Sequence, residues 1–173
     1  AHITLANIVI THERNWPAGE REFRRGLELN PNYADGHMFY ADFLISIKRL
    51  TEWKKEIQRA RELDPFNLFV HCFYSWHLVY VERYDEAISQ LHEILSTEPD
   101  SSSAHLGLWG AYYKKGIPAE ALAEAKKFFA ALGDQEVEEA LGQGYGKAGY
   151  QKGMLLGAEV LAARSSRTHV PAL

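Results

Sequence analysis

The sequence predicts an all-α fold: a right-handed α-α superhelix of about five stacked helix-turn-helix hairpins. Three observations predict it. Proline recurs on a fixed period, with Pro31, Pro65 and Pro99 standing 34 residues apart. Each proline closes a similar phrase, Leu29-Asn30-Pro31, Leu63-Asp64-Pro65 and Thr97-Glu98-Pro99, where a residue that cannot continue a helix belongs. Proline also opens two of the segments between these stops, at Pro17 and Pro118, a position that helices tolerate.

Taken in order, five units follow. In the first (1–32), a helix over residues 2–13 meets a second opened by Trp16-Pro17, with proline at the first helical position, where its missing N–H costs nothing. The second (33–66) pairs 33–47 with 52–62. The third (67–100) pairs 67–82 with 85–96. The fourth (101–133) pairs 102–115 with 118–131; Ser101, Ser102 and Ser103 offer hydroxyls for its N-cap, and Pro118 opens its second helix. The fifth (134–164) pairs 136–148 with 152–164, and residues 165–173 form a tail or the entry to a further repeat. The short turns suit antiparallel neighbouring helices.

A 34-residue period enclosing a helix-turn-helix resembles the tetratricopeptide repeat, over about residues 1–164. The clearest unit is Tyr84-Asp85-Glu86-Ala87-Ile88 running to Glu98-Pro99, with parallels at Pro118-Ala119-Glu120-Ala121-Leu122 and Trp16-Pro17-Ala18-Gly19-Glu20. The family keeps a small residue at the slot of Gly19, Ala87 and Ala121, from which Trp53 and Met154 depart. Ala34-Asp35-Gly36-His37 and Ser103-Ala104-His105, each followed by an aromatic-rich helix, are similar to repeats of large bacterial regulatory proteins. The run Arg167-Thr168-His169-Val170-Pro171 resembles the linker into a further repeat. Because Ala1 is not an initiator Met, the start is expected to be a cut inside a longer protein or a processed end, and the tail resemblance implies truncation at both ends.

Bulk properties narrow the function. A net charge of −4 and a pI near 6.1 give no electrostatic reason to expect nucleic acid. No apolar run approaches the ~20 residues that span a bilayer, so no membrane insertion is expected. Cys72 is the single cysteine, which excludes an internal disulfide and fits a reducing, cytoplasmic compartment. No cofactor is expected either: Gly142-Gln143-Gly144-Tyr145-Gly146 has glycines, but lacks the preceding strand and following Gly-Lys-Ser/Thr of a phosphate loop.

Eight histidines invite a metal reading, which spacing opposes. His37, His71 and His105 keep the 34-residue period. They therefore occupy one slot in successive hairpins, ~8–10 Å apart, too far to share an ion held at ~2.1 Å. They are expected to be wedges between helices. His71, Cys72 and His77 do not share a helix face. The chain is expected to be no enzyme and to hold no metal.

The resemblance implies where a partner would dock, since first helices of such repeats line a concave groove. Carried onto this chain, the groove slots select Met38, Asp42, Phe69, Trp76, Tyr80, Leu106 and Tyr113. The basic clamp with which chaperone-binding members hold a terminal carboxylate is replaced here by Thr4, Ile8, Asp42, Phe69 and Phe73. The expected function is therefore a non-enzymatic scaffold binding a protein or peptide segment, with Asp42 favouring a basic or neutral ligand. Phe39, Tyr40 and Phe73 are expected in the core. The alternative is a structural spacer, or a self-associating segment that forms homo-oligomers through exposed stack ends.

Overall fold

A computed structural model describes residues 1–168, with side chains to residue 165. Residues 169–173, which include part of the expected tail, lie outside the described residues. Among the described residues there are nine helices and no strands: α1 (His2–Thr11), α2 (Trp16–Leu29), α3 (Ala34–Ser46), α4 (Leu50–Leu63), α5 (Leu68–Tyr80), α6 (Tyr84–Thr97), α7 (Ser102–Lys115), α8 (Pro118–Ala131) and α9 (Gln135–Thr168). Their order is the expected series of hairpins. The prolines act as anticipated: Pro17 and Pro118 sit at helix starts, and the Asn30, Asp64 and Glu98 C-caps precede Pro31, Pro65 and Pro99.

Capping differs from expectation in one place. Ser101 occupies the N-cap of α7, but its side chain makes no capping bond. The side-chain capping bonds come instead from amide and carboxylate oxygens elsewhere. Asn15 Oδ1 accepts from the Ala18 N–H at 3.2 Å, Asn67 Oδ1 from Phe69 and Val70 at 3.1 and 3.3 Å, and Asp134 Oδ1 from Val137 at 3.3 Å. Each satisfies donors that the first helical turn leaves orphaned.

The chain forms two compact units, Ala1–His77 and Leu78–Leu173. In the first, α1 packs on α2, α2 on α3 and α3 on α4. Its core centres on Phe23, Met38, Leu44 and Ile57, all fully buried. Phe23 lies 5.4 Å from the Tyr40 ring and 5.8 Å from that of Phe43. Trp53, too large for the family's small slot, is buried and compensated by a polar partner described below. Glu20 accepts from Arg24 (2.7 Å), Arg49 (2.6 Å) and the Tyr40 hydroxyl (3.0 Å), tying α2, α3 and the α4 N-cap together. Burial alone would raise the Glu20 pKa, but the bonds from Arg49 and Tyr40 and the Arg24 charge outweigh it and hold the carboxyl below its usual range.

In the second unit, α6 packs on α7, α7 on α8 and α8 on α9. Its core includes Leu91, Leu108, Leu122, Val137 and Leu141. The helix α9 is continuous only in name. Ala148 (φ −154°, ψ 29°) and Gly149 (φ 78°, ψ −166°) are non-helical, so α9 breaks where the sequence places a turn. Gly149 adopts a φ that side-chain-bearing residues avoid. The arms pack tightly: a Cβ on Gly153 would stand 2.8 Å from the Leu141 carbonyl oxygen. Arg164 on the second arm grips Asp134 through two 2.7 Å bonds and Glu136 through another at 2.7 Å. Its guanidinium holds the Asp134 carboxyl below the usual range.

The histidine ladder proves to be a polar clip. His37 Nε2 lies 3.0 Å from the Pro31 carbonyl oxygen, and its Nδ1 lies 2.6 Å from Glu56 on α4. His105 repeats this, with Nε2 3.0 Å from the Pro99 carbonyl and Nδ1 2.6 Å from Glu124 on α8. His71 keeps the first half, 2.9 Å from the Pro65 carbonyl. Each ring thus satisfies the proline carbonyl that ends the preceding helix pair. In the two full cases it also pins the next helix.

Candidate functional site

In the second unit a cleft forms against α7. Leu106, Trp109, Gly110 and Tyr113 are spaced at i, i+3, i+4 and i+7, which puts them on one helix face. Leu108 and Ala111 face the core instead. The helix then stops at Gly116 in the left-handed conformation (φ 80°), and Pro118 opens α8. Opposite this face the break in α9 presents Ala148, Tyr150, Gln151 and Met154, and together these residues enclose a cavity of about 840 Å³. The lining includes no charged side chain.

The cleft walls are fixed to one another. Trp109 Nε1 donates to the Tyr150 hydroxyl at 2.7 Å, and Tyr113 stacks on Tyr150 at 5.6 Å with 22° between planes. Trp109, Tyr150 and Met154 also rest on the core formed by Leu122, Ala125, Val137 and Leu141. Burial pushes the Tyr150 hydroxyl above the usual phenol range, so it stays protonated at neutral pH. Its oxygen accepts from Trp109, and its own proton has no acceptor among the described residues. At Gly110 a Cβ would meet nothing within 4 Å, which leaves the floor open.

A second aromatic cluster lies in the first unit on α5. Phe73 is its hub, with ring centroids 4.8 Å from Phe69, 4.9 Å from Trp76, and 6.1 Å from both Phe39 and His77. A buried polar chain runs behind it. Trp53 Nε1 donates to His77 Nδ1 at 2.9 Å, which uses that nitrogen's lone pair, so the proton on Nε2 donates to Asp42 at 3.1 Å. This bond is what allows a tryptophan in the family's small slot: its N–H would otherwise be buried without an acceptor.

The sequence-selected residues therefore divide. Leu106 and Tyr113 come together on the cleft wall, Tyr113 with 56% of its surface exposed. Phe69 is 45% exposed and Trp76 half-buried, joined through Phe73. Asp42 is exposed on the outer end of the His77 chain. Tyr80 is exposed on the last turn of α5. Met38 is fully buried at 0% exposure, where its side chain packs in the core and meets no partner. Sequence reasoning missed Trp109, Tyr150 and Met154, because groove slots were carried over by helical register, whereas the cleft uses the break in α9. A usable signal was present: Gly149-Tyr150 interrupts a helical pattern, and a glycine break exposes the ring beside it. Among the described residues no group of three His, Cys, Asp or Glu side chains is placed to hold a metal ion. None of their helices is long and apolar enough to cross a membrane.

Comparison with known proteins agrees with this architecture. The tetratricopeptide repeat family matches over residues 75–135, from within α5 to the first residue of α9. A solved structure of a MamA mutant is similar in fold, with a TM-score of 0.53 and 19% identity over 75% of each chain. The likeness shows an all-α helical-repeat fold. No curated protein matches the chain.

Proposed function

We propose that this chain, which matches the tetratricopeptide repeat family over residues 75–135, is a non-enzymatic protein-interaction module that receives a segment of a partner protein in the α7–α9 cleft. The observation that carries the reading is an apolar, aromatic-walled cavity held open on its own core, with Tyr113 and Leu106 left exposed on its wall. Tryptophan and tyrosine are the residues that concentrate binding energy. Rings already locked by the Trp109–Tyr150 bond lose little further freedom on binding.

Selection of a displayed amphipathic-peptide library on the full chain tests the cleft. Recovered peptides should bind wild type and weaken at least about tenfold against Tyr113→Ala or Leu106→Asp, the usual scale for losing a hot-spot contact. Peptides that bind all three proteins equally would remove the cleft from the account. Self-association remains the second reading, favoured by Leu5 and Ile8, which are exposed on α1. Sedimentation of wild type and Leu5→Glu/Ile8→Glu separates it: a concentration-dependent oligomer that the double variant abolishes would support it.

A further inference from the structure

Charge is distributed unevenly around the cleft. Residues 78–173 carry nine Lys/Arg and thirteen Asp/Glu, so the second unit is acidic as a whole. Yet the two stretches that build the cleft, 106–118 and 148–154, contain three lysines, Lys114, Lys115 and Lys152, and no carboxylate, and Lys147 directly precedes the second stretch. The nearest acid in sequence, Glu120, follows Pro118 by two residues.

The pairing of these cations is uneven too. Arg83 pairs with Glu86, Lys115 with Asp85, Lys126 with Glu138, Lys127 with Glu124 and Arg164 with Asp134. Lys114, Lys147 and Lys152 have no ion-pair partner among the described residues. Lys114 adjoins the lining residue Tyr113, Lys147 adjoins Ala148, and Lys152 adjoins Gln151. The described cations left without a carboxylate in this unit are thus the three that stand next in sequence to residues lining the cavity. Tyr150, on the cavity wall, likewise holds a hydroxyl proton with no acceptor.

Resting on the proposed docking function, we infer that the α7–α9 cleft takes an acidic amphipathic segment of a partner protein. An apolar side chain of the segment fills the cavity between Trp109 and Met154, and its flanking carboxylates meet Lys114, Lys147, Lys152 and the Tyr150 hydroxyl. Apolar contact supplies the anchor, and charge complementarity supplies partner choice and association rate. The chain as a whole is acidic, so its net charge would discourage such a ligand; only the local field at this cleft invites it.

The test uses two displayed helix libraries that share randomised apolar positions, one with glutamate and one with lysine at the polar positions, selected on the full chain. The glutamate library should yield binders at least about tenfold tighter than the lysine library. That preference should shrink in 0.5 M salt, by screening, and invert on Lys114→Glu/Lys147→Glu/Lys152→Glu. Lysine-library binders that match or exceed the acidic ones, yet are lost with Tyr113→Ala, would overturn the charge inference while the cleft stands. Binders of either library indifferent to Tyr113→Ala would overturn both, as would failure of both libraries to yield any.

Discussion

The two aromatic clusters of this protein use the same residue types to opposite ends. In residues 1–77, Phe73 is ringed by Phe39, Phe69, Trp76 and His77, and the polar atoms behind it are consumed internally by the Trp53–His77–Asp42 chain. In residues 78–173, Trp109, Tyr113 and Tyr150 hold one another but leave about 840 Å³ open between them. The difference lies in the backbone. The α3–α4 hairpin is built from continuous helices, whereas α9 breaks at Ala148-Gly149 and presents its second arm as an opposing wall. A closed aromatic cluster adds stability, while one held apart by a helix break becomes a surface with something left to bind.

That contrast can be broken by substitution. The largest effect is expected at Trp53, whose removal leaves a cavity and an unsatisfied His77 nitrogen: Trp53→Ala should cost about 3–5 kcal/mol in denaturant unfolding. Next comes the clip at His105. Glu124 is only 7% exposed and keeps Lys127 as its other partner; His105→Ala should cost about 1–3 kcal/mol, because the Glu124 oxygen that met the ring is left buried without its hydrogen bond. Gly153→Ala sharpens the comparison, since its new methyl would meet backbone at the Leu141 carbonyl. A loss of about 1–3 kcal/mol is expected, with hydrogen-exchange protection falling in the two arms of α9. Tyr113→Ala, by contrast, should change stability by less than about 1 kcal/mol while abolishing peptide capture.

The histidine period was legible in the sequence, but its meaning was not. The wedge reading treated the imidazole as an apolar filler, because a period says where a residue sits and not which atoms surround it. The missing signal was a second spacing. Pro31 precedes His37 by six residues and Glu56 follows by nineteen, as Pro99 and Glu124 do for His105, whereas Gln90 stands at that place for His71. The hairpins, the proline stops and the break near residue 149 were all readable, since they depend on local backbone chemistry. Met38 was misplaced because α3 buries Gly36, His37, Met38, Tyr40, Ala41, Phe43, Leu44 and Ile45, leaving no apolar stripe to distinguish groove from core. The cleft was half readable, as its α7 wall follows helical spacing and its α9 wall depends on a backbone break.

The smallest effect concerns acid. The Glu20 carboxyl lies below its usual range in the fold because Arg49, Tyr40 and Arg24 overcome the opposing effect of burial. Its folded pKa is therefore lower than its unfolded one. The stability it contributes is present above the unfolded value and is lost as pH falls through the folded value. Glu20→Gln should flatten the dependence of Tm on pH below about 4.5, and an unchanged slope would remove Glu20 from acid sensitivity.

On the proposed docking function, the open cluster binds and the closed one does not. The most direct measurement is a ¹H–¹⁵N spectrum of the tryptophan indoles, recorded while a selected peptide is titrated into the full chain. Trp109 Nε1–H, on the cleft wall, should shift as the complex fills, and Trp53 Nε1–H, buried against His77, should stay in place. Saturable binding that leaves Trp109 unmoved would contradict the account.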